Sequence, residues 1–201
     1  MSSPSIRATF ALFLTMLLAA PLSAAAANYK VDKSHTSVTF KIHHLFSIVI
    51  GRFDDLDGTI SFDPKDFAAA VVKGSIKVAS INTNDKKRDK HLRSKDFFDV
   101  EQFPTINFTS TKVTDIDTAK NTAKLHGVLT MHGVEKPIVL DVSYLGTADD
   151  PWGNTRGGFI ASTTLNRKDF GINWNETLDS GGYLVGDEVE IEVNAEGMVS
   201  K

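Results

Sequence analysis

A chain of 201 residues, 41% hydrophobic and 23% charged with a net charge of −3, fits one globular domain or two small ones. It excludes a collagen-like or disordered polymer and argues against a strongly basic nucleic-acid binder. With no cysteine, the chain has no disulfide framework, thiolate metal site, catalytic thiol or lipidated N-terminal cysteine.

The chain opens with Arg7, an apolar run from Ala8 to Leu22, and small residues from Ser23 to Ala27. That layout predicts a secretory signal peptide over 1–27, cleaved after Ala27. Fifteen apolar residues fall short of the roughly 20 that span a bilayer. The expected product is an exported, periplasmic domain over 28–201 with no stable membrane insertion.

Period-two alternation dominates the chain beyond residue 28, the mark of half-buried strands. Val38, Phe40 and Ile42 form the first run, and Ile48–Phe53 the second. Ile60 and Phe62 come after an Asp57-Gly58 turn signal, and Asp63–Phe67 reads as a turn or single helical turn. Val72, Gly74, Ile76 and Val78 alternate next. Asn84–Asp96 is the one helical stretch, capped by Asn84 or Asp85, with Phe97 and Phe98 pinning it over the sheet. Ile106 and Phe108, then Leu125, Leu129 and Met131, then Ile138–Tyr144, then Phe159–Leu165 continue the alternation. The final run sets Val189, Ile191 and Val193 against Glu188, Glu190 and Glu192. Links at Asp115–Asn121, Gly133–Pro137 and Asp149–Asn154 are short, so neighbouring strands should be antiparallel.

Nine such strands, each apolar on one face, predict an all-β antiparallel barrel of about eight strands with a helix near 84–95. Closure covers the apolar face and removes both edges. A barrel of that size holds a filled core or one small ligand. Glycines inside strands, at Gly74, Gly127, Gly157 and Gly158, leave room or mark bulges and favour the cavity.

The chemistry-bearing residues are sparse. Six histidines show no metal-binding spacing, and no nucleophile elbow or phosphate loop occurs. No metal and no cofactor are expected. Lys86, Lys87, Arg88, Lys90, Arg93 and Lys95 make a basic cluster that reads either as a solvated helix or as a collar for an anionic headgroup or membrane surface. It lacks the interleaved aromatics of a nucleic-acid site.

Several strings together resemble the YceI-like family. They are His35–Phe40, Gly51-Arg52-Phe53, Ser80–Thr83, Asp89–Asp99, Phe103-Pro104, Gly127–Gly133 and Arg167–Gly171, in order over about 29–198. The resemblance implies a lipocalin-like barrel that encloses a long-chain lipid, such as a polyisoprenoid or isoprenoid quinone precursor, without catalysis. It also admits a homodimer. On this reading Phe40, Ile42, Phe53, Phe62, Ile76, Phe98, Phe108, Leu129 and Phe159 line the cavity. The matching motifs offer His35, His44, Asp89, His91 and Arg167 as a polar mouth. The competing readings are a stress-related barrel with a filled core and an enzyme acting on a small apolar substrate.

Overall fold

The computed structural model describes residues 26–179 and 181–200. The expected leader lies outside them, apart from Ala26 and Ala27. Eleven strands form one sheet: β1 Ala27–Val31, β2 Ser37–His44, β3 Ser47–Phe53, β4 Leu56–Asp63, β5 Asp66–Lys77 and β6 Ile81–Asn82, then β7 Thr105–Asp117, β8 Thr122–Met131, β9 Val134–Asp149, β10 Thr155–Asn166 and β11 Val185–Val199. The helix α1 spans Lys86–Leu92.

The sheet closes. β11 pairs with β2 through Val185–Asn194 and with β1 through Gly197–Val199. β4 lies against β1 and β3 against β2, so β1–β2 and β3–β4 each run as one bent strand. β5 continues into β6 through a 3-10 turn at Val78–Ser80 in the same way. The eleven segments therefore make eight antiparallel staves, each beside its neighbours in sequence, as the alternation predicts.

Three local expectations change. β1 is not among the nine expected runs: Ala27-Asn28-Tyr29-Lys30-Val31 alternates, but it is short and abuts the leader. Most of the expected link Gly133–Pro137 belongs to β9, and the turn is His132-Gly133 alone. Pro137 pairs with Val128 on one side, and β10 joins β9 only from Asp141 onward, so its missing N–H faces an unpaired edge. The helix is shorter than 84–95. Asp85 caps it, accepting from the N–H groups of Lys87 at 2.9 Å and Arg88 at 3.0 Å. Asn84 precedes it in a left-handed conformation, φ 60°.

Two strand glycines lie under rings rather than beside open space. A Cβ on Gly127 would stand 2.3 Å from Phe108 Cζ, and one on Gly157 2.7 Å from Tyr29 Cε1. Gly74 does leave open space, and the register of β10 shifts between Gly158 and Phe159.

The interior packs as two clusters. One, around Tyr29, Ile60, Phe62, Phe67 and Ala123, seals one end. The other, around Phe53, Ile81, Phe97, Ile106, Phe170 and Ile172, gathers beneath α1 at the opposite end.

Candidate functional site: a cavity with a polar mouth

Between the two clusters runs a cavity of about 640 Å³. That lies within the ~300–1,000 Å³ of small-molecule sites. Its floor is a set of touching rings. Phe62 meets Phe67 at 4.9 Å, Tyr144 at 4.8 Å and Phe159 at 5.5 Å between centroids, and Phe159 meets Tyr29 at 5.6 Å. All but the tilted Phe62–Tyr144 contact are edge-to-face, and such aromatic pairs each contribute about 0.5–1.5 kcal/mol beyond their buried area, so the floor is a packed plug.

Above the floor the wall is aliphatic and aromatic. The structure places Phe40, Ile42, Phe53, Ile76, Phe98, Phe108 and Leu129 beside the cavity as its wall, with Phe62 and Phe159 in the floor. The alternation put them on the inner faces of their strands, and closure turned those faces toward one another.

The mouth opens between α1, the β2–β3 hairpin and the segment leading into β11. Of the five polar residues expected there, His44, His91 and Arg167 line the cavity, whereas His35 and Asp89 do not. His91 Nε2 lies 2.8 Å from Asp96 Oδ2, and its ring packs on Phe97 and Trp174. Arg167, only 4% exposed, donates to the carbonyls of Gly186 at 2.8 Å, Ile172 at 2.9 Å and Trp174 at 2.8 Å. Burial pulls its pKa below the ordinary guanidinium value, and the neighbouring Asp187 carboxylate opposes that shift. Arg167 thus ties Ile172 and Trp174 to Gly186, and Trp174 meets His91.

Asp89 has a different task. Its Oδ1 accepts from the N–H of Thr83 at 2.8 Å and from its hydroxyl at 2.6 Å, which ties α1 to the end of β6. His35 sits outside the barrel, with Nδ1 2.9 Å from Asp32 Oδ2. Asp32, His35 and Glu196 present three donor atoms to one point, as a metal site would. Arg156 Nη1 already donates to both carboxylates, at 2.7 Å to Asp32 and 2.5 Å to Glu196, so a fixed guanidinium holds that place. Elsewhere His126 bonds to the Thr114 hydroxyl at 2.8 Å and His132 to the Phe170 carbonyl at 3.0 Å.

Sequence reasoning missed Trp174 as a mouth residue and Phe67 and Tyr144 as parts of the floor, and left Lys87 and Arg88 between a headgroup collar and a solvated helix. The structure sets Lys87 and Arg88 against the cavity. For Trp174 there was no signal, because its segment forms neither helix nor extended strand.

Comparison with known proteins agrees with this architecture. The family model described as a YceI-like domain matches residues 29–197. A UPF0312 protein of Pseudomonas savastanoi pv. phaseolicola is 46% identical over 172 residues, covering 82% of this chain and 88% of its own. The crystal structure of BcnA from Burkholderia cenocepacia superposes with a TM-score of 0.72 at 23% identity, over 83% of this chain and 98% of that one. A polyisoprenoid binding domain from Saccharophagus degradans, implicated in plant cell wall breakdown, gives a TM-score of 0.61 at 18% identity, over 87% and 99%. Family model and relative together assign this closed barrel to the YceI-like family, of which the chain is a member.

Proposed function

We infer that this protein is an exported, periplasmic lipid binder that sequesters or carries one long-chain amphiphile, a polyisoprenoid or an isoprenoid quinone precursor. The cavity carries the reading: it has an apolar wall, a floor sealed by rings, and ionisable groups gathered at the mouth. Such a tube takes up a tail that water rejects, at roughly 0.8 kcal/mol for each buried CH₂. Many tail lengths would fit a wall without polar anchors, so headgroup preference falls to His44, His91, Lys87 and Arg88, while Arg167 holds the backbone around them. The polyisoprenoid binding of the Saccharophagus domain supports the ligand class, and the apolar run Ala8–Leu22 supports export.

A filled core is disfavoured by the cavity itself. A catalytic role draws no support from Arg167, whose guanidinium is bonded to three backbone carbonyls. Organic extraction of the purified protein followed by mass spectrometry tests the reading. A co-purifying polyprenyl lipid is expected. An empty protein that also fails to take up polyprenyl lipids overturns it.

A further inference from the structure

The end of the barrel that carries the mouth also carries uncovered apolar side chains. At the tip of the β2–β3 hairpin Phe46 stands wholly in solvent, at 102% relative exposure, with Leu45 beside it. Ile48 and Ile50 come next on the outer face of β3 and are more than half exposed, whereas Val49 between them faces the cavity. The backbone of Leu45 bonds to Leu184 at 3.0 Å, so the patch continues toward the exposed ring of Tyr183. Nothing in the fold of the barrel requires Phe46 to be apolar.

Across the mouth α1 presents Lys86, Lys87 and Lys90 to solvent. None of the three has a carboxylate partner among the described residues. The acids nearest in sequence are already engaged: Asp85 caps the helix, Asp89 is bound to Thr83, and Asp96 faces His91. The two surfaces belong to one rim. His44 pairs with Val185, the Asn175 side chain bonds the backbone of Val185, and Trp174 beside Asn175 packs on His91 of α1.

An aromatic tip beside unpaired lysines, around an apolar opening, suits the boundary between water and an anionic bilayer. We propose that this end of the barrel docks peripherally on an anionic phospholipid membrane. Phe46 and Ile48 enter the acyl boundary, and Lys86, Lys87 and Lys90 meet the phosphate headgroups. A second copy of the chain is the weaker occupant, because a face-to-face pair would bring two rows of lysines together. Docking in this orientation sets the mouth against the lipid, so an amphiphile passes between bilayer and cavity without crossing water.

The surface lies outside the cavity wall at Phe46, Lys86 and Lys90, so it can be altered without touching the proposed ligand site. Flotation with vesicles of phosphatidylcholine alone, and of equimolar phosphatidylcholine and phosphatidylglycerol, tests the proposal on wild type and variants with the same N-terminus. The wild type should float with the anionic vesicles, less so as salt is raised, and poorly with the neutral ones. The double variant Lys86→Glu/Lys90→Glu should lose about fivefold in partitioning for each lysine removed. Phe46→Ser should lose about tenfold or more. Trp152→Ser removes another exposed ring, from the β9–β10 turn at the far end, and should change nothing.

Failure of the wild type to float with anionic vesicles overturns the proposal. So does flotation of both mouth-side variants at the wild-type level. A dimer in sedimentation that Phe46→Ser dissociates, with no vesicle binding, assigns the patch to a second copy instead and equally overturns it. The lysine pair and Phe46 are separate probes, so misfolding of one variant leaves the other to decide. Flotation needs no cargo and lipid extraction needs no vesicles, so docking and cargo binding fail independently.

Discussion

At the level of single residues, polar motif residues divide by what they touch. Asp89 and Arg167 lie in the most distinctive strings of the sequence, yet both are buried and bonded to backbone. Sequence spacing could not separate a headgroup contact from a structural tie, because both need a polar side chain at the rim. Replacing Asp89 by Ala leaves the buried N–H of Thr83 without an acceptor, which should cost about 2 kcal/mol in urea unfolding. If Asp89 serves only as a tie, the extracted lipid should keep its identity. The Arg156 cluster gives a pH signature. Asp32 is held well below the usual carboxylate range by the Ser34 hydroxyl, then by Arg156 and His35; Asp150 is held there by Arg156 and the backbone of Asn154. A carboxyl whose pKa is depressed by folding stabilises the native state above its unfolded pKa, near 4, and loses that contribution as pH falls through the folded value. Arg156→Met should therefore destabilise most at neutral pH. Thermal melts should show the gap from wild type narrowing below about pH 4.

Among the elements, period-two alternation located nearly every strand because each has one wet and one dry face. What it could not show was how segments join into staves. The bends at Asp32–Thr36, Asp54–Asp55 and Val78–Ser80 obey loop geometry and leave no periodic trace. Nor could it show that a glycine is roofed. Gly127 on β8 lies under the ring of Phe108 on β7, and Gly51 on β3 under Phe40 on β2, with a Cβ at either place 2.3 Å from a ring carbon. The ring gives bulk where the glycine has none, and both rings border the cavity. Gly127→Ala must push Phe108 aside and also relieve the Thr109 carbonyl, which is only 2.6 Å from the added carbon. It should destabilise by about 1–3 kcal/mol. The quantity of lipid recovered per protein should fall with it, and an unchanged yield would separate the roof from the binding wall.

For the molecule as a whole, the closed barrel and its inner face were legible, since strand number, short links and one-sided patterning leave few other ways to cover the apolar surface. The cavity was not legible from patterning, because a filled core and a lipid pocket draw on the same side chains. It arises instead from where bulk is placed: Phe62, Phe67, Tyr144 and Phe159 crowd the floor, and the rings above them line the wall. No helix among the described residues is long and apolar enough to cross a membrane.

The join that closes the sheet pairs Tyr29 with Val199, almost the two ends of the domain. Every other seam between staves links neighbours in sequence. The hairpins can zip one after another as the chain emerges, but the last seam waits for the final strand, and that long loop makes it the entropically costly step. Until then the sheet is an open trough whose apolar face is exposed along its length. A lipid met during that interval need not thread the mouth at all. Enclosure as the barrel shuts is a second route into the cavity, and refolding the denatured protein with and without polyprenyl lipid tests whether it loads the protein.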